Sequence, residues 1–157
     1  MTRRVMISTA MIEEPKLVIA DEPTPGLHLK AAKRAMEHFR ELADMGAGVL
    51  IITHDLELAL ETADRVLVFY AGYTLEDAKT EDFRQEKTLR HPYTKALWRA
   101  MSQNGFHYID GVQPYVKDMP EGCPFAPRCE KMYRKKCRGE IPYREVNGGY
   151  VRCVYDS

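Results

Sequence analysis

The stretch LVIADEPTPGLHLKAAKRA, residues 17 to 35, decides the fold. Leu17 to Ala20 form a short continuous apolar run, the pattern of a strand buried on both faces of a parallel sheet. The run ends abruptly in Asp21-Glu22-Pro23-Thr24. Beyond the turn, Leu29, Ala32, Met36, Phe39 and Ala43 recur at three- and four-residue steps, which predicts an amphipathic helix stopped by Gly46. GVLIITHD (48 to 55) reads as a second buried strand, LELALETA (56 to 63) as a short helix, and RVLVFYAG (65 to 72) as a third strand turning at Ala71-Gly72 towards YTLED. Strand, helix, strand, helix, strand is the rhythm of a parallel α/β sheet.

Upstream, residues 2 to about 13 predict a helix that ends before Pro15, with Val5, Met6, Ala10 and Met11 able to share one face. Downstream the pattern changes near residue 80. TEDFRQEKTLR is polar, and HPYTKALWRAM (91 to 101) offers one more helix with Pro92 in its first turn. From Ser102 onward there is little periodicity, and Pro114, Pro120, Pro124, Pro127 and Pro142 are scattered among the cysteines. Such a tail has little apolar surface to bury and is expected to need a cross-link or a metal. Three segments are therefore expected: 1–79, 80–102 and 103–157.

The 157 residues amount to about one domain with a small satellite. Lys+Arg and Asp+Glu both number 23, so the chain lacks the basic excess of a nucleic-acid binder. No apolar stretch approaches the roughly 20 residues that span a bilayer. The opening MTRRVMISTAMIEEPK lacks the apolar run and cleavage site of a secretory signal, so a cytosolic chain is expected.

An Asp that ends a buried strand can hold Mg²⁺ at the phosphates of a nucleotide, directly or through water. The Glu after it points elsewhere and can polarise the attacking water. Asp21 and Glu22 fit these two roles, although two solvated acids before a Pro turn would look the same. His54 ends the next strand, and parallel strands present their C-terminal ends on one edge, where ligands bind. It is expected near Asp21 and Glu22, able to donate to a terminal phosphate or to orient water. Tyr93 and Trp98 read as packing residues of the later helix.

LVIADEPT, IITHD and ADRVLVFYAG together resemble the ATP-binding subunits of ABC transporters. The resemblance implies a P-loop NTPase sheet, ATP and Mg²⁺ as cofactors, a Walker B motif with Asp21 on Mg²⁺, Glu22 as catalytic base and His54 as the switch histidine. The opening residues resemble the helix after that family's signature motif, with Met1 near the motif's last position. LRHPYTKALWRAM and GCPFAPRC are similar to the oligopeptide, dipeptide and nickel importer branch, whose ATPases carry a cysteine-rich C-terminal extension.

Two departures stand out. The family's phosphate loop, Q-loop and most of its signature are not among these residues, so the chain alone is expected not to hydrolyse ATP. His28 also occupies the D-loop position where an Asp is usual, which suggests two unequal ATP sites or a tolerated surface variant. The resemblance implies as partners two permease subunits, a second related ATPase and an extracytoplasmic substrate-binding protein, with no nucleic acid. It places the subunit on the cytoplasmic face of the membrane. Rival readings are a non-enzymatic metal-binding regulatory module, and a helicase or repair ATPase, which the ITHD strand and neutral charge oppose.

Cys123, Cys129, Cys137 and Cys153 follow C-x5-C-x7-C-x15-C. Clustered cysteines in a cytosolic chain suggest metal ligands rather than disulfides. Zinc sites favour pairs two to four residues apart, so this looser spacing suits a [4Fe–4S] cluster better, with Zn²⁺ or free thiols as alternatives. Lys131, Arg134, Lys135, Lys136 and Arg138 would offset a cluster's negative charge, or simply form a solvated face. The importer branch named above is known for an iron–sulfur cluster in this tail, which agrees.

Overall fold

A computed structural model describes residues 15–131 and 136–155. The helix expected over residues 2 to 13, and Arg134 and Lys135, lie outside the described residues. The chain parts into two compact units, Met1–Ala63 and Asp64–Ser157.

In the first unit, β1 (Leu17–Asp21) and β2 (Gly48–Ile52) pair in parallel, in register from Leu17 opposite Gly48 to Asp21 opposite Ile52. Between them runs α1 (Leu29–Asp44), and α2 (Leu56–Thr62) follows β2. Val18, Ala20, Val49 and Ile51 point to one side and pack with Ala32, Met36, Phe39 and Leu42 of α1 and Leu58 of α2. Burying each of the larger of these side chains stabilises by about 1.5–3 kcal/mol. The expected stripe is shifted slightly: Leu29 lies 70 % exposed at the start of α1, and Leu42 is buried near its end.

Both ends of α1 are closed locally. His28 is its N-cap, with the ring Nδ1 accepting the Ala31 N–H at 3.2 Å. At the other end Gly46, at φ +98°, lets the chain reverse while its N–H reaches the Ala43 carbonyl and the Ala47 N–H reaches that of Leu42. The expectation that the strands are covered on both faces is met on one. Leu17, Ile19, Leu50 and Ile52 stay exposed on the other.

The second unit departs from the expected parallel sheet. β3 (Arg65–Tyr70) pairs antiparallel with β4 (Tyr73–Lys79), in a four-stranded sheet ordered β3-β4-β6-β5. The connection explains this. Only antiparallel neighbours can be joined by a two-residue loop, and Ala71 (φ +47°) and Gly72 (φ +88°) both take the left-handed backbone that such a hairpin turn demands. A bulge at Leu75 breaks the register between Val68 and Phe69 and sends that side chain to full burial.

The tail is more ordered than its sequence suggests. β5 (Arg144–Val146) and β6 (Gly149–Val151) form a hairpin over Asn147-Gly148, and β6 pairs with Glu76 and Asp77 of β4. Residues before and after position 80 thus share one sheet. Gly149 is required at that junction, because a Cβ there would meet the Asp77 carbonyl oxygen at 2.0 Å. Tyr70 and Leu75 pack with Phe125, Ala126, Ile141 and Cys123, so the tail contributes to an apolar core. α3 (Pro92–Ala100) borders this core. Tyr93 stacks against Tyr70 and Phe125, and Trp98 donates its indole N–H to the Phe83 carbonyl at 2.7 Å, so both pack as expected. Among the described residues no helix is long and apolar enough to cross a membrane.

Candidate functional site

The C-terminal ends of β1 and β2 bring together the residues singled out in the sequence. Register sets Asp21 opposite Ile52, and the Glu22 N–H extends the ladder by donating to the Ile52 carbonyl at 2.9 Å. Glu22 then turns at φ +44°, a left-handed conformation costing roughly 1–2 kcal/mol for a residue with a Cβ. Strain of this kind gathers at functional sites. The turn aims the carboxylate sideways, where Oε1 lies 2.9 Å from the His54 Nδ1. Glu22 Oε2 is buried with no hydrogen-bond partner. Asp21 is exposed at the strand end, and Asp55 turns away to cap α2 by accepting the Leu58 N–H at 3.0 Å.

This is an asymmetric pair. The imidazole stands largely in solvent, with its side chain 79 % exposed, while the carboxylate is more sheltered at 38 %. The hydrogen bond to Glu22, and then its charge, raise His54 above the ordinary histidine value of 6.5. Chemically, one carboxylate oxygen is held and oriented by the ring, and the other keeps lone pairs free for a proton donor. Nε2 of His54 is left to make a bond outward. His28 does not join this pair; its ring nitrogen is engaged in capping α1.

The second unit gathers the four cysteines. None is in a disulfide; Cys123 and Cys153 are buried, Cys129 and Cys137 half-buried. The Cys123 N–H donates to the Cys137 carbonyl at 3.1 Å. Gly122, at φ +95°, makes this approach possible, since a Cβ would sit 2.2 Å from the Cys137 oxygen. Three sulfurs accept a backbone N–H from two residues on: Cys123 from Phe125, Cys129 from Lys131 and Cys153 from Tyr155. Burial nonetheless pushes the Cys123 thiol up to about 11, and pushes Cys129 and Cys153 up as well. Among the described residues no group of three or more His, Cys, Asp or Glu side chains is placed to hold a metal ion.

A residue not singled out from the sequence completes this region. His91 is 1 % exposed at the N-cap of α3, its Nδ1 accepts the Tyr93 N–H at 3.0 Å, and its Nε2 lies 3.7 Å from Cys123 Sγ. Burial, with Arg152 nearby, lowers it to about 3, so the ring is neutral. Glu76 fixes its backbone: the buried carboxylate accepts the N–H groups of Arg90 at 2.9 Å and His91 at 2.8 Å. Burial outweighs these bonds and raises Glu76. Pro92 in the first turn of a helix already marks position 91 as a cap. Its burial depends on chain segments far away in sequence.

Residues 75–137 match the family described as "Oligopeptide/dipeptide transporter, C-terminal region". The oligopeptide transport ATP-binding protein AppD of Bacillus subtilis is 37% identical over 161 residues, covering 98% of this chain and 48% of that protein. The dipeptide transport ATP-binding protein DppD of Haemophilus influenzae is 40% identical over 160 residues, covering 98% of this chain and 48% of its own length. The Escherichia coli oligopeptide transport ATP-binding protein OppD is 34% identical over 161 residues, 99% of this chain and 47% of that protein. The chain spans about half the length of the curated relatives it matches.

Proposed function

Because the chain belongs, over the length it spans, to the oligopeptide/dipeptide ABC transporter ATP-binding family, we propose that it serves ATP hydrolysis driving import of peptides or nickel. The single observation that carries this reading is the Glu22–His54 contact of 2.9 Å at the ends of two parallel strands. Glu22 takes the proton from the attacking water as the water's oxygen bonds the terminal phosphorus and the bond from that phosphorus to the bridging oxygen breaks, so that ADP leaves; Oε2 is the oxygen free to receive the proton. His54 holds Glu22 in orientation and offers Nε2 to the phosphate. Asp21, exposed beside them, would hold Mg²⁺, which bound with ATP would neutralise charge building on the phosphates. The 157 residues contain no Gly-rich phosphate loop, and in this reading they are expected not to hydrolyse ATP by themselves.

In this reading residues 1–79 supply the Walker B, D-loop and switch-histidine part of the ATPase core. Residues 80–102 supply the linker and α3, and residues 103–157 the cysteine-rich extension. Docking to two permease subunits at the cytoplasmic face of the membrane and closing against a second related ATPase complete the machine, with an extracytoplasmic protein delivering cargo. His28 at the D-loop position either makes the two nucleotide sites unequal or is a tolerated variant whose ring caps α1. The test is uptake of a labelled peptide or of nickel by the parent cell with the single codon change Glu22→Gln at its own locus. Uptake should fall at least a hundredfold with the protein at its normal abundance, since the base is lost and the Mg²⁺ carboxylate spared; undiminished uptake of both cargoes overturns the proposal.

The extension is proposed to hold a [4Fe–4S] cluster through Cys123, Cys129, Cys137 and Cys153. What supports the reading is the donor set: four thiols in one compact unit, three of them given a backbone N–H donor of the kind anionic sulfur needs. The sulfurs are not preformed around a single ion, so they would close in on the metal. Bound there, a cluster would supply a cross-link between residues 123–137 and Cys153, two residues beyond β6.

A further inference from the structure

We infer that Thr53 is the positioning residue for His54: its hydroxyl accepts the Asp55 N–H and closes a turn that points the imidazole Nδ1 at Glu22. The inference rests on the proposed hydrolytic role of Glu22 and His54 and adds the residue that sets their geometry. His54 cannot hold that geometry by itself. Its side chain is 79 % exposed, so little packing confines the ring, and what holds it is the 2.9 Å bond to Glu22 Oε1. Exposed side chains change rotamer within nanoseconds. The ring therefore stays on Glu22 only where the backbone already places it well.

Thr53, His54 and Asp55 join the end of β2 to the first residue of α2, and both ends of this link are fixed. On the strand side the Ile52 carbonyl accepts the Glu22 N–H at 2.9 Å, which ties the link to the residue that His54 must reach. On the helix side the Asp55 carboxylate accepts the Leu58 N–H at 3.0 Å, and the Asp55 carbonyl accepts the Ala59 N–H at 3.1 Å. His54 is the apex between them, and the bond that spans it runs from the Asp55 N–H to Thr53 Oγ1 at 3.1 Å. A hydroxyl that accepts the N–H two residues on makes a local turn. Thr, branched at Cβ, has little freedom at χ1 to let that acceptor swing away. Capping α2 uses the carboxylate and carbonyl of Asp55 but not its N–H, so the bond to Thr53 serves the link rather than the helix. The orientation also fixes the ring proton. An ionised carboxylate only accepts, so Nδ1 is the donor to Glu22 and Nε2 of the neutral ring is left bare. In water a free histidine side chain carries that proton mostly on Nε2, so the Nδ1–H form reports the contact.

The experiment is nuclear magnetic resonance of the full 157-residue chain with ¹⁵N-labelled histidine. At alkaline pH the neutral wild-type ring of His54 should carry its proton on Nδ1, and Thr53→Ser, which keeps the hydroxyl, should do the same. Thr53→Val keeps the branched shape and removes the acceptor; Thr53→Ala is the second variant without a hydroxyl. Both should move the proton largely to Nε2. Both should also bring the ring's titration, held up by the bond to Glu22, then by its charge and less strongly by that of Asp55, back towards 6.5. Thr53 is half-buried and lies outside the apolar core of its unit, so these variants keep the fold. Wild-type tautomer and titration in both hydroxyl-free variants overturn the positioning role, whatever the substitutions cost in stability. In the parent cell, Thr53→Val at its own locus should lower uptake of labelled peptide or nickel severalfold, and Thr53→Ser should spare it. Undiminished uptake in Thr53→Val beside a collapse in Glu22→Gln removes Thr53 from the reaction. Undiminished uptake in Glu22→Gln instead sinks the transport reading, and the ring tautomer alone then decides whether Thr53 positions His54.

Discussion

Glu22 and His54 lie 32 positions apart in the chain and meet at 2.9 Å. That meeting was legible in the sequence, because two buried runs ending in charged residues imply neighbouring strand ends. What the sequence left out was the backbone at Glu22, whose φ of +44° no side-chain pattern reports. His28 shows a similar limit. Its place in the sequence did not announce that its ring nitrogen caps α1 by accepting the Ala31 N–H. His91 was illegible for a different reason: its burial is produced by β4 and by residues near Phe125, far away in sequence. A prediction at this scale concerns His54. Its folded value is raised above 6.5 by Glu22, so the attraction is fully present below 6.5 and is lost as pH rises through the folded value. A ring-proton nuclear magnetic resonance titration should find His54 above 6.5 in the wild type and back near it in Glu22→Gln. Coincident curves would mean the contact does not persist in solution.

Elements were read well where one periodicity dominated and poorly where the turn, rather than the strand, carried the information. α1 followed from its apolar spacing and from Gly46, and both strands of the first unit lie where the apolar runs placed them. β3 was found, but assigned to a parallel sheet, because YTLEDAK carries too weak an alternation to announce β4. The deciding signal was Ala71-Gly72, a two-residue loop that admits only antiparallel partners. Asn147-Gly148 between Arg144–Val146 and Gly149–Val151 was an equally good hairpin signal in a stretch that looked unpatterned. The first loop is the less suited to its task, since Ala71 takes φ +47° where Asn is far better tolerated. Ala71→Asn should therefore stabilise the second unit by about 1 kcal/mol, raising the urea midpoint followed by tyrosine fluorescence. A lower midpoint would show that the turn relaxes away from the left-handed geometry.

At the scale of the whole molecule, the two candidate sites fall in different compact units: the strand-end carboxylates in Met1–Ala63 and the cysteines in Asp64–Ser157. The sequence indicated this separation through its change of texture, but it placed the change near residue 80, whereas β6 ties the tail back to β4. Long-range strand pairing of this kind leaves little local trace. The first unit has a further property that only the folded chain displays, the open face formed by Leu17, Ile19, Leu50 and Ile52. Apolar exposure on that scale promotes association. Sedimentation velocity should find the wild-type chain self-associating at about 100 μM, and Ile19→Lys combined with Leu50→Lys monomeric, since neither residue belongs to the α1 side of the sheet. A monomeric wild type at that concentration would show the face to be inert. In a cell the same four side chains become a matter of quality control. For as long as they stay uncovered they are what a holdase chaperone or a degradative protease senses, so the steady-state amount of this polypeptide should follow how soon that surface is shielded after synthesis, more than how tightly α1 is packed.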